Sequence, residues 1–134
     1  MTVSPQNLTV LLVDDDPTLL RGLTRNLEEM QFNVHSAICA AEANVVLKLQ
    51  PIDVVVCDYK MPGTMGLSFL EQIVKKYPNL ATILLTGEVG GLDVALKWAR
   101  EIGVHRVLSK PCCPNVLATE IAAAAAAKMT ACRR

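Results

Sequence analysis

The stretch that decides the fold of this chain is VVVCDYKMPG, residues 54–63. It combines an apolar run typical of a buried strand, an aspartate at position 58 and a turn with proline and glycine. A second apolar run, Val10–Val13, also ends in acids, the three aspartates at positions 14–16. Two strands that both end in acids predict a shared acidic pocket at one rim of a sheet. Such a pocket suits a hard divalent cation, which takes oxygen ligands and organises phosphoryl chemistry.

On both sides of this stretch, strand-like runs alternate with segments of helical periodicity about five times. The predicted strands are 10–13, 33–37, 54–57, 81–85 and 106–108. The predicted helices are one with Leu19, Leu20, Leu23, Leu27 and Met30 on one face, then 40–49, 67–77, one opened by Gly90-Gly91 and one from Pro114. Strict alternation predicts an α/β fold, a doubly wound five-stranded parallel sheet in three α/β/α layers.

The composition fits one domain with an aliphatic core. The chain has 134 residues, of which 51% are hydrophobic and 4% aromatic, and this suits strands covered on both faces by helices. We therefore expect a single domain over residues 1–134 with its core at about 8–128. The alanine-rich segment 121–128 predicts helix, which either frays there or continues as a connector.

Charge, hydropathy and cysteine content exclude several classes. The formal net charge is zero, so we expect no direct nucleic-acid partner. No apolar run is long enough to cross a membrane, and no signal-type segment opens the sequence. The five cysteines and two histidines show no zinc-like spacing, which favours reduced thiols, with Cys112 and Cys113 as ordinary neighbours. The expectation is a soluble, cytoplasmic protein.

Polar residues stand at the carboxyl end of four predicted strands. They are Asp14 and Asp15, Asp58, Thr86 and Lys110. In parallel sheets of this kind ligands bind outside the carboxyl ends of the strands, so we expect these side chains to converge.

Each of these residues also has a simpler interpretation. Asp14 would cap the first helix, although Asp16 before Pro17 is the better predicted cap. Asp58 would be a turn residue, Thr86 a strand-end residue and Lys110 a solvated surface lysine. A cap does not explain three consecutive acids, because their mutual repulsion is costly without a cation.

Taken together, these motifs resemble the receiver domain of bacterial two-component response regulators. The resemblance is carried by Asp14-Asp15, Asp58 with Met61-Pro62-Gly63, Thr86-Gly87 and Lys110-Pro111. It extends over nearly the whole chain, from about residue 8 to the last helix. It implies a flavodoxin-like strand order, 2-1-3-4-5, and a sensor histidine kinase as partner. It also implies a signalling switch that phosphorylates and dephosphorylates itself, rather than a metabolic enzyme.

The resemblance also implies a role for each acid. Asp58 would be the phosphoacceptor and would form an acyl phosphate. Asp15 and Asp58 would bind Mg²⁺ directly, and Asp14 would bind it directly or through water. The backbone carbonyl of Lys60 would be a further ligand. Mg²⁺ keeps several of its waters, so few protein ligands suffice.

The basic and hydroxyl groups have implied roles as well. The Lys110 ammonium and the Thr86 hydroxyl would contact the phosphoryl oxygens. The family pattern makes the Lys110–Pro111 bond a candidate for the cis form. Lys60 and Glu88 would flank the mouth of the pocket, where they would either pair and restrict the hydrolytic water or stay solvated.

Two residues bear on how the switch is read. The family usually carries Tyr or Phe where this chain has Val107, which predicts a weakened switch or one read through the loop after Thr86 and the fourth helix. Trp98 falls off the inward stripe of that helix. It therefore marks a partner, output or homodimer contact on the face of helix four, strand five and helix five, or it lies over a neighbouring helix.

Two other functions compete with the phospho-accepting switch. The first is a receiver-like interaction module that acts without phosphorylation, which Val107 leaves open. The second is a Mg²⁺-dependent phosphatase or phosphotransferase with an aspartate nucleophile. Such enzymes usually place a second acid two residues after the nucleophile, and Lys60 at that position disfavours this function.

Overall fold

The computed structural model describes residues 8–61, 64–87 and 92–132. The predicted turn residues Pro62 and Gly63, Glu88 and the pair Gly90-Gly91 lie outside the described residues. The strands are β1 (Thr9–Val13), β2 (Asn33–Ala37), β3 (Val54–Asp58), β4 (Lys60–Met61), β5 (Thr64–Met65), β6 (Ala81–Thr86) and β7 (Arg106–Ser109). The helices are α1 (Pro17–Glu29), α2 (Ala40–Leu49), α3 (Gly66–Lys76), α4 (Leu92–Ile102) and α5 (Pro114–Cys132).

Five strands form one parallel sheet in the order β2-β1-β3-β6-β7. Counted among themselves in chain order, they lie in the order 2-1-3-4-5, so the predicted flavodoxin-like arrangement is confirmed. The order places β1 beside β3, with Val13 opposite Cys57. The two strands that end in acids are therefore neighbours, and their ends meet at one edge of the sheet.

The helices cover both faces of the sheet, and each face carries its own apolar core. Alternate residues of β1 point to opposite faces, so Val10 and Leu12 join one core and Leu11 and Val13 the other. The first core is completed by α1 and α5, and the second by α2, α3 and α4. The predicted three-layer fold is confirmed, and its central strands are buried on both sides.

The predicted ends of the elements follow from local chemistry. Asp16 is the N-cap of α1, and its carboxylate accepts hydrogen bonds from Thr18 N at 3.0 Å and Leu19 N at 3.2 Å. Pro17 occupies the first helical position, where a missing N–H costs nothing. The predicted apolar face of α1 is confirmed, because Leu20, Leu23 and Leu27 are buried. Pro114 likewise opens α5, which continues through the alanine-rich segment.

Sequence patterns missed a small antiparallel hairpin between β3 and α3. It pairs β4 with β5, and each strand is two residues long, too short to show an alternating pattern. Cys57 and the pair Cys112-Cys113 are free thiols, as predicted. Among the described residues, no helix has both the length and the apolar character needed to cross a bilayer.

Candidate functional site

The carboxyl ends of the central strands bring the predicted site residues together. Asp58 is the last residue of β3, paired with Leu85 of β6, and Thr86 is the last residue of β6. Asp14 follows β1 directly, and its N–H donates to Ala37 O at 3.1 Å. Lys110 follows β7, and its N–H donates to Thr86 O at 2.8 Å. Backbone hydrogen bonds thus fix the position of every one of these residues.

Three carboxylates form the acidic centre of the site. One oxygen each from Asp14, Asp15 and Asp58 lies within 4.8 Å of the other two. Asp14 and Asp58 are buried, and Asp15 is exposed. Carboxylate oxygens crowded in this way repel one another unless a cation lies among them. The donor set fits a hard divalent cation that takes oxygen ligands, of which Mg²⁺ is the usual example.

Lys110 supplies the positive charge that the acids need in this structure. Its Nζ lies 2.7 Å from Asp14 Oδ2 and 3.1 Å from Asp58 Oδ1. Burial alone would lower the pKa of this amine, but the hydrogen bonds to Asp14 and Asp58 outweigh it and raise the pKa. Lys110 is therefore an ammonium group that bridges two buried carboxylates and is not a solvated surface lysine.

Asp58 is held in an environment that disfavours its charge. Removal from water is the largest cause of the raised pKa of this carboxyl group, and the Asp14 and Asp15 charges add to it. The hydrogen bond from Lys110 acts in the opposite direction without cancelling the effect. The ionised form of Asp58 would therefore be stabilised by a further cation, and a reaction that consumes its negative charge would relieve the unfavourable environment.

Asp14 and Asp16 have separate tasks, although they stand two residues apart. Asp16 caps α1, whereas Asp14 Oδ1 accepts a hydrogen bond from Asp16 N at 2.9 Å and Asp14 Oδ2 faces Lys110. The simpler interpretation of Asp14 as the helix cap is therefore wrong. The first loop both starts the helix and aims one carboxylate into the site.

A cavity of about 270 Å³ opens beside the acids. It is lined by Asp58, Tyr59, Lys60, Thr86, Gly87 and Lys110. Lys60 is exposed and stands at this opening, as predicted. Tyr59 was not predicted as part of the site, and only its place beside Asp58 in the sequence could have indicated it. The cavity joins a carboxylate, a hydroxyl and an ammonium group on one wall, which suits a small anion such as a phosphoryl group.

Gly66 is a second residue that sequence patterns did not single out. A Cβ atom at this position would lie 2.0 Å from the carbonyl oxygen of Asp58. The Gly66 N–H also donates to Tyr59 O at 2.7 Å. A side chain here would push α3 away from the end of β3 that carries Asp58. Glycine therefore permits the close approach of these two backbone segments behind the site.

Two neighbouring residues turn away from the site. Cys57 packs in the core of α2, α3 and α4, and burial raises the pKa of its thiol above the usual range. Val107 of β7 is half-buried and packs against the same core.

Trp98 of α4 is half-buried and packs against the core of α2, α3 and α4, which fits the alternative that it covers a neighbouring element. The Lys110–Pro111 bond is cis, as predicted.

Comparison with known proteins gives one consistent result. The sequence profile described as "Response regulator receiver domain" matches residues 10–122. The hydrogenase transcriptional regulatory protein HoxA of Cupriavidus necator is 33% identical over 115 residues, which are 86% of this chain and 23% of HoxA. The chain thus spans less than a quarter of the length of that relative.

Solved structures agree with the sequence comparison. A response regulator receiver domain protein from Clostridium thermocellum superposes with a TM-score of 0.84 at 33% identity, covering 92% of this chain and 98% of that one. A structure described as adenylate cyclase from Rhodopirellula baltica superposes with a TM-score of 0.86 at 32% identity, covering 95% of this chain and 93% of that one.

Proposed function

Because this chain belongs to the response regulator receiver domain family, we propose that it is a phospho-accepting signalling switch. Asp58 would receive a phosphoryl group from a sensor histidine kinase, with Mg²⁺, and the resulting change of shape would control an output. One observation carries the proposal: three carboxylates and the Lys110 ammonium meet beside a cavity that fits a phosphoryl group.

Asp58 would act as the nucleophile. One of its carboxylate oxygens attacks the phosphorus, the bond between phosphorus and the kinase histidine nitrogen breaks, and an acyl phosphate forms. Asp14, Asp15, Asp58 and the backbone carbonyl of Lys60 would hold the metal. Bound Mg²⁺ would offset the repulsion between the carboxylate and the phosphoryl group and neutralise the charge that develops.

Lys110 and Thr86 would hold the product. In this structure the Lys110 ammonium lies against Asp58 Oδ1 and Asp14 Oδ2. It is already beside the Asp58 carboxylate, so it would need to move little to contact the new phosphoryl oxygens. The Thr86 hydroxyl would donate to another of these oxygens. Attack by water on the acyl phosphate would later reset the switch.

The partners of the switch follow from the same proposal. A sensor histidine kinase would supply the phosphoryl group, and an output domain or partner protein would be contacted through α4, β7 and α5, the face that carries Trp98. We also propose that residues 1–134 act as a single receiver domain in the cytoplasm. The free thiols of Cys39, Cys57, Cys112 and Cys113 fit a reducing compartment.

The experiment that tests the proposal is intact-mass measurement after incubation with Mg²⁺ and a small phosphodonor such as acetyl phosphate. We expect the wild-type protein to gain one phosphoryl group, and a chelator to abolish the gain. Asp58→Asn should gain none. Asp16→Asn is the matched control and should gain as much as wild type, because Asn still caps the helix and Asp16 lies outside the acidic centre.

A second candidate function remains because of Val107. If neither acetyl phosphate nor phosphoramidate adds a phosphoryl group to wild type, the interaction module that acts without phosphorylation becomes the better proposal. If phosphorylation occurs, Val107→Tyr tests whether the residue at position 107 takes part in the conformational change or whether the loop after Thr86 and the fourth helix carry it. An unchanged difference between the free and phosphorylated forms of this variant would mean that position 107 takes no part in the response.

A further inference from the structure

The two edges of the sheet differ in how they are protected against pairing with another chain. The edge strand β7 begins with the charged Arg106, which forms an ion pair with Glu120 of α5, and Pro111 follows soon after the strand. The edge strand β2 reads NVHSA and contains no lysine, arginine, acid or proline. Natural edge strands usually carry such residues to prevent pairing. The β2 edge is therefore open to a further strand.

The hydrogen-bonding groups of β2 divide cleanly between its two sides. Asn33 N–H donates to Leu8 O, and Ala37 O accepts from Asp14 N–H, so the odd-numbered residues face β1. Because the backbone groups of successive residues point to opposite edges, those of Val34 and Ser36 face away from the sheet. Within the described ranges, these outward groups have no backbone partner.

The open edge has a defined length. The next outward N–H, that of Ile38, donates to Glu42 Oε1 at 3.1 Å. A side chain thus closes the edge at that point, and the open part is centred on His35. An antiparallel copy of the same strand fits this pattern, since Val34 of one chain would exchange both hydrogen bonds with Ser36 of the other. His35 would then face His35 of the second copy across the two-fold axis.

Charges on α1 flank this edge in a pattern that matches the same two-fold axis. Along α1, Arg21 and Arg25 come before Glu28 and Glu29, and all four are exposed. They line a groove of about 660 Å³ together with Ser36 and Ile38 at the β2 edge. In the part of the chain that the structure describes, none of the four forms an ion pair. A two-fold axis reverses the second α1, so its Glu28 and Glu29 would approach Arg21 and Arg25 of the first.

One exposed apolar side chain lies at the same edge, that of Ile38, which lines the groove beside Ser36. The large hydrophobic residues exposed among the described residues are Ile38, Val45, Leu49 and Val116. Three of these four lie in or just before α2, which packs beside β2. Because Ala43 and Leu47 are the buried residues of α2, Val45 and Leu49 lie on the opposite side of that helix. A second copy paired through β2 would therefore cover Ile38, whose burial is favourable, but not these two residues.

We propose that the β2 edge, flanked by α1 and α2, is a two-fold interface for a second copy of this chain. Two separate properties support one occupant: the outward backbone groups of β2 and the order of the charges along α1. An antiparallel copy satisfies both with groups that the chain itself carries. The interface lies away from the α4, β7 and α5 face and needs neither metal nor phosphorylation.

The test uses the symmetry of the pair. His35→Glu and His35→Lys each place like charges opposite one another at the axis, whereas a mixture of the two places opposite charges there. We expect wild type to associate reversibly to a dimer in sedimentation equilibrium, without Mg²⁺ or phosphodonor. Each variant alone should dimerise at least about tenfold more weakly, and the mixture should recover a heterodimer. Asp58→Asn should dimerise like wild type, which separates this proposal from the proposed function.

Two further variants distinguish strand pairing at β2 from association through another surface. Ser36→Pro removes an N–H that faces outward and is not used by β1, so it should weaken the dimer while circular dichroism shows an intact fold. Val116→Lys changes an exposed apolar residue on α5 and should dimerise like wild type. A wild-type monomer at high protein concentration, loss of the dimer in Val116→Lys, or a mixture that stays monomeric would each overturn the proposal.

Discussion

The middle of β3 and β6 and the carboxyl ends of the same strands place opposite demands on their residues. In the middle, Val55, Val56, Ile83 and Leu84 are buried and apolar on both faces of the sheet. Two residues after Val56 and Leu84, Asp58 and Thr86 are also buried but polar. The middle therefore stabilises the fold through burial, whereas the ends retain charge that costs stability without a partner. The comparison indicates that one part of each strand specifies the fold and the other part carries the candidate site.

The largest effect is expected at Gly66, which packs against the carboxyl end of β3. Gly66→Ala would bring a Cβ atom within 2.0 Å of the Asp58 carbonyl oxygen, and backbone atoms relax poorly. We expect the free energy of unfolding to fall by about 3 kcal/mol or more, measured by urea denaturation.

Gly22→Ala is the matched control for this change. Gly22 lies in α1, and nothing comes within 4 Å of a Cβ atom placed there. Because alanine is the better helix residue, stability should rise by about 0.5–1 kcal/mol. An equal loss in both variants would show that the close approach at Gly66 has no special importance.

The pattern of the apolar runs was enough to predict the fold. Each strand of the main sheet was predicted within about one residue of its observed ends, because prolines and acids limit runs such as 54–57 on both sides. The β4–β5 hairpin was not predicted, since two-residue strands have no periodicity. The contact behind Gly66 was also missed, because a close approach of two backbone segments depends on the assembled structure.

The second effect concerns the ammonium group of Lys110 in the pocket. Lys110→Met keeps most of the side-chain volume but removes the ammonium from Asp14 and Asp58. The loss of the hydrogen bonds to these two carboxylates, together with the repulsion left between them, costs about 2 kcal/mol. The free energy of unfolding at neutral pH should therefore fall by about that amount. Because the pKa of Lys110 is raised in the folded protein, its contribution is fully present at neutral pH and disappears only as the pH rises through that raised pKa.

Added Mg²⁺ tests the cause of this loss. If the three carboxylates accept a divalent cation, millimolar Mg²⁺ should stabilise Lys110→Met more than it stabilises wild type, in which the ammonium already occupies the region. Thermal unfolding with and without Mg²⁺ measures this difference. The same increment in both proteins would mean that the lysine and the metal do not share a site.

The third effect is a gain. Asp58→Asn removes a charge whose pKa is raised by burial, and by Asp14 and Asp15 as well. A raised carboxyl pKa means that ionisation costs stability in the folded protein. The penalty is absent below the ordinary value of 3.8 and grows as the pH rises through the raised pKa. We therefore expect metal-free Asp58→Asn to be more stable by on the order of 1 kcal/mol at neutral pH and not at pH 3.

The residues of the pocket were predicted more completely than their interactions. Asp14, Asp15, Asp58, Thr86 and Lys110 were all expected at the strand ends, and the structure places them there. The bridge from Lys110 to Asp14 was not predicted, because a sequence gives no distance between residues 96 positions apart. That bridge also decided against Asp14 as a helix cap. Strand ends can thus be read from the sequence, but the pairing of charges among them depends on the sheet register.

The smallest effect compares two buried threonines of β6. Thr82 and Thr86 are each 1% exposed, but the Thr82 hydroxyl lies in the middle of the sheet and has no hydrogen-bond partner among the described residues. Thr82→Val replaces an unpaired polar group with a methyl group of similar size, so stability should rise by about 0.5–1 kcal/mol in urea denaturation. Thr82→Val should also phosphorylate like wild type, whereas Thr86→Val should lose phosphoryl lifetime or yield. If Thr86→Val instead raises stability and leaves phosphorylation unchanged, the Thr86 hydroxyl has no role in the site. The difference between the middle of the strand and its carboxyl end would then not apply to these two threonines.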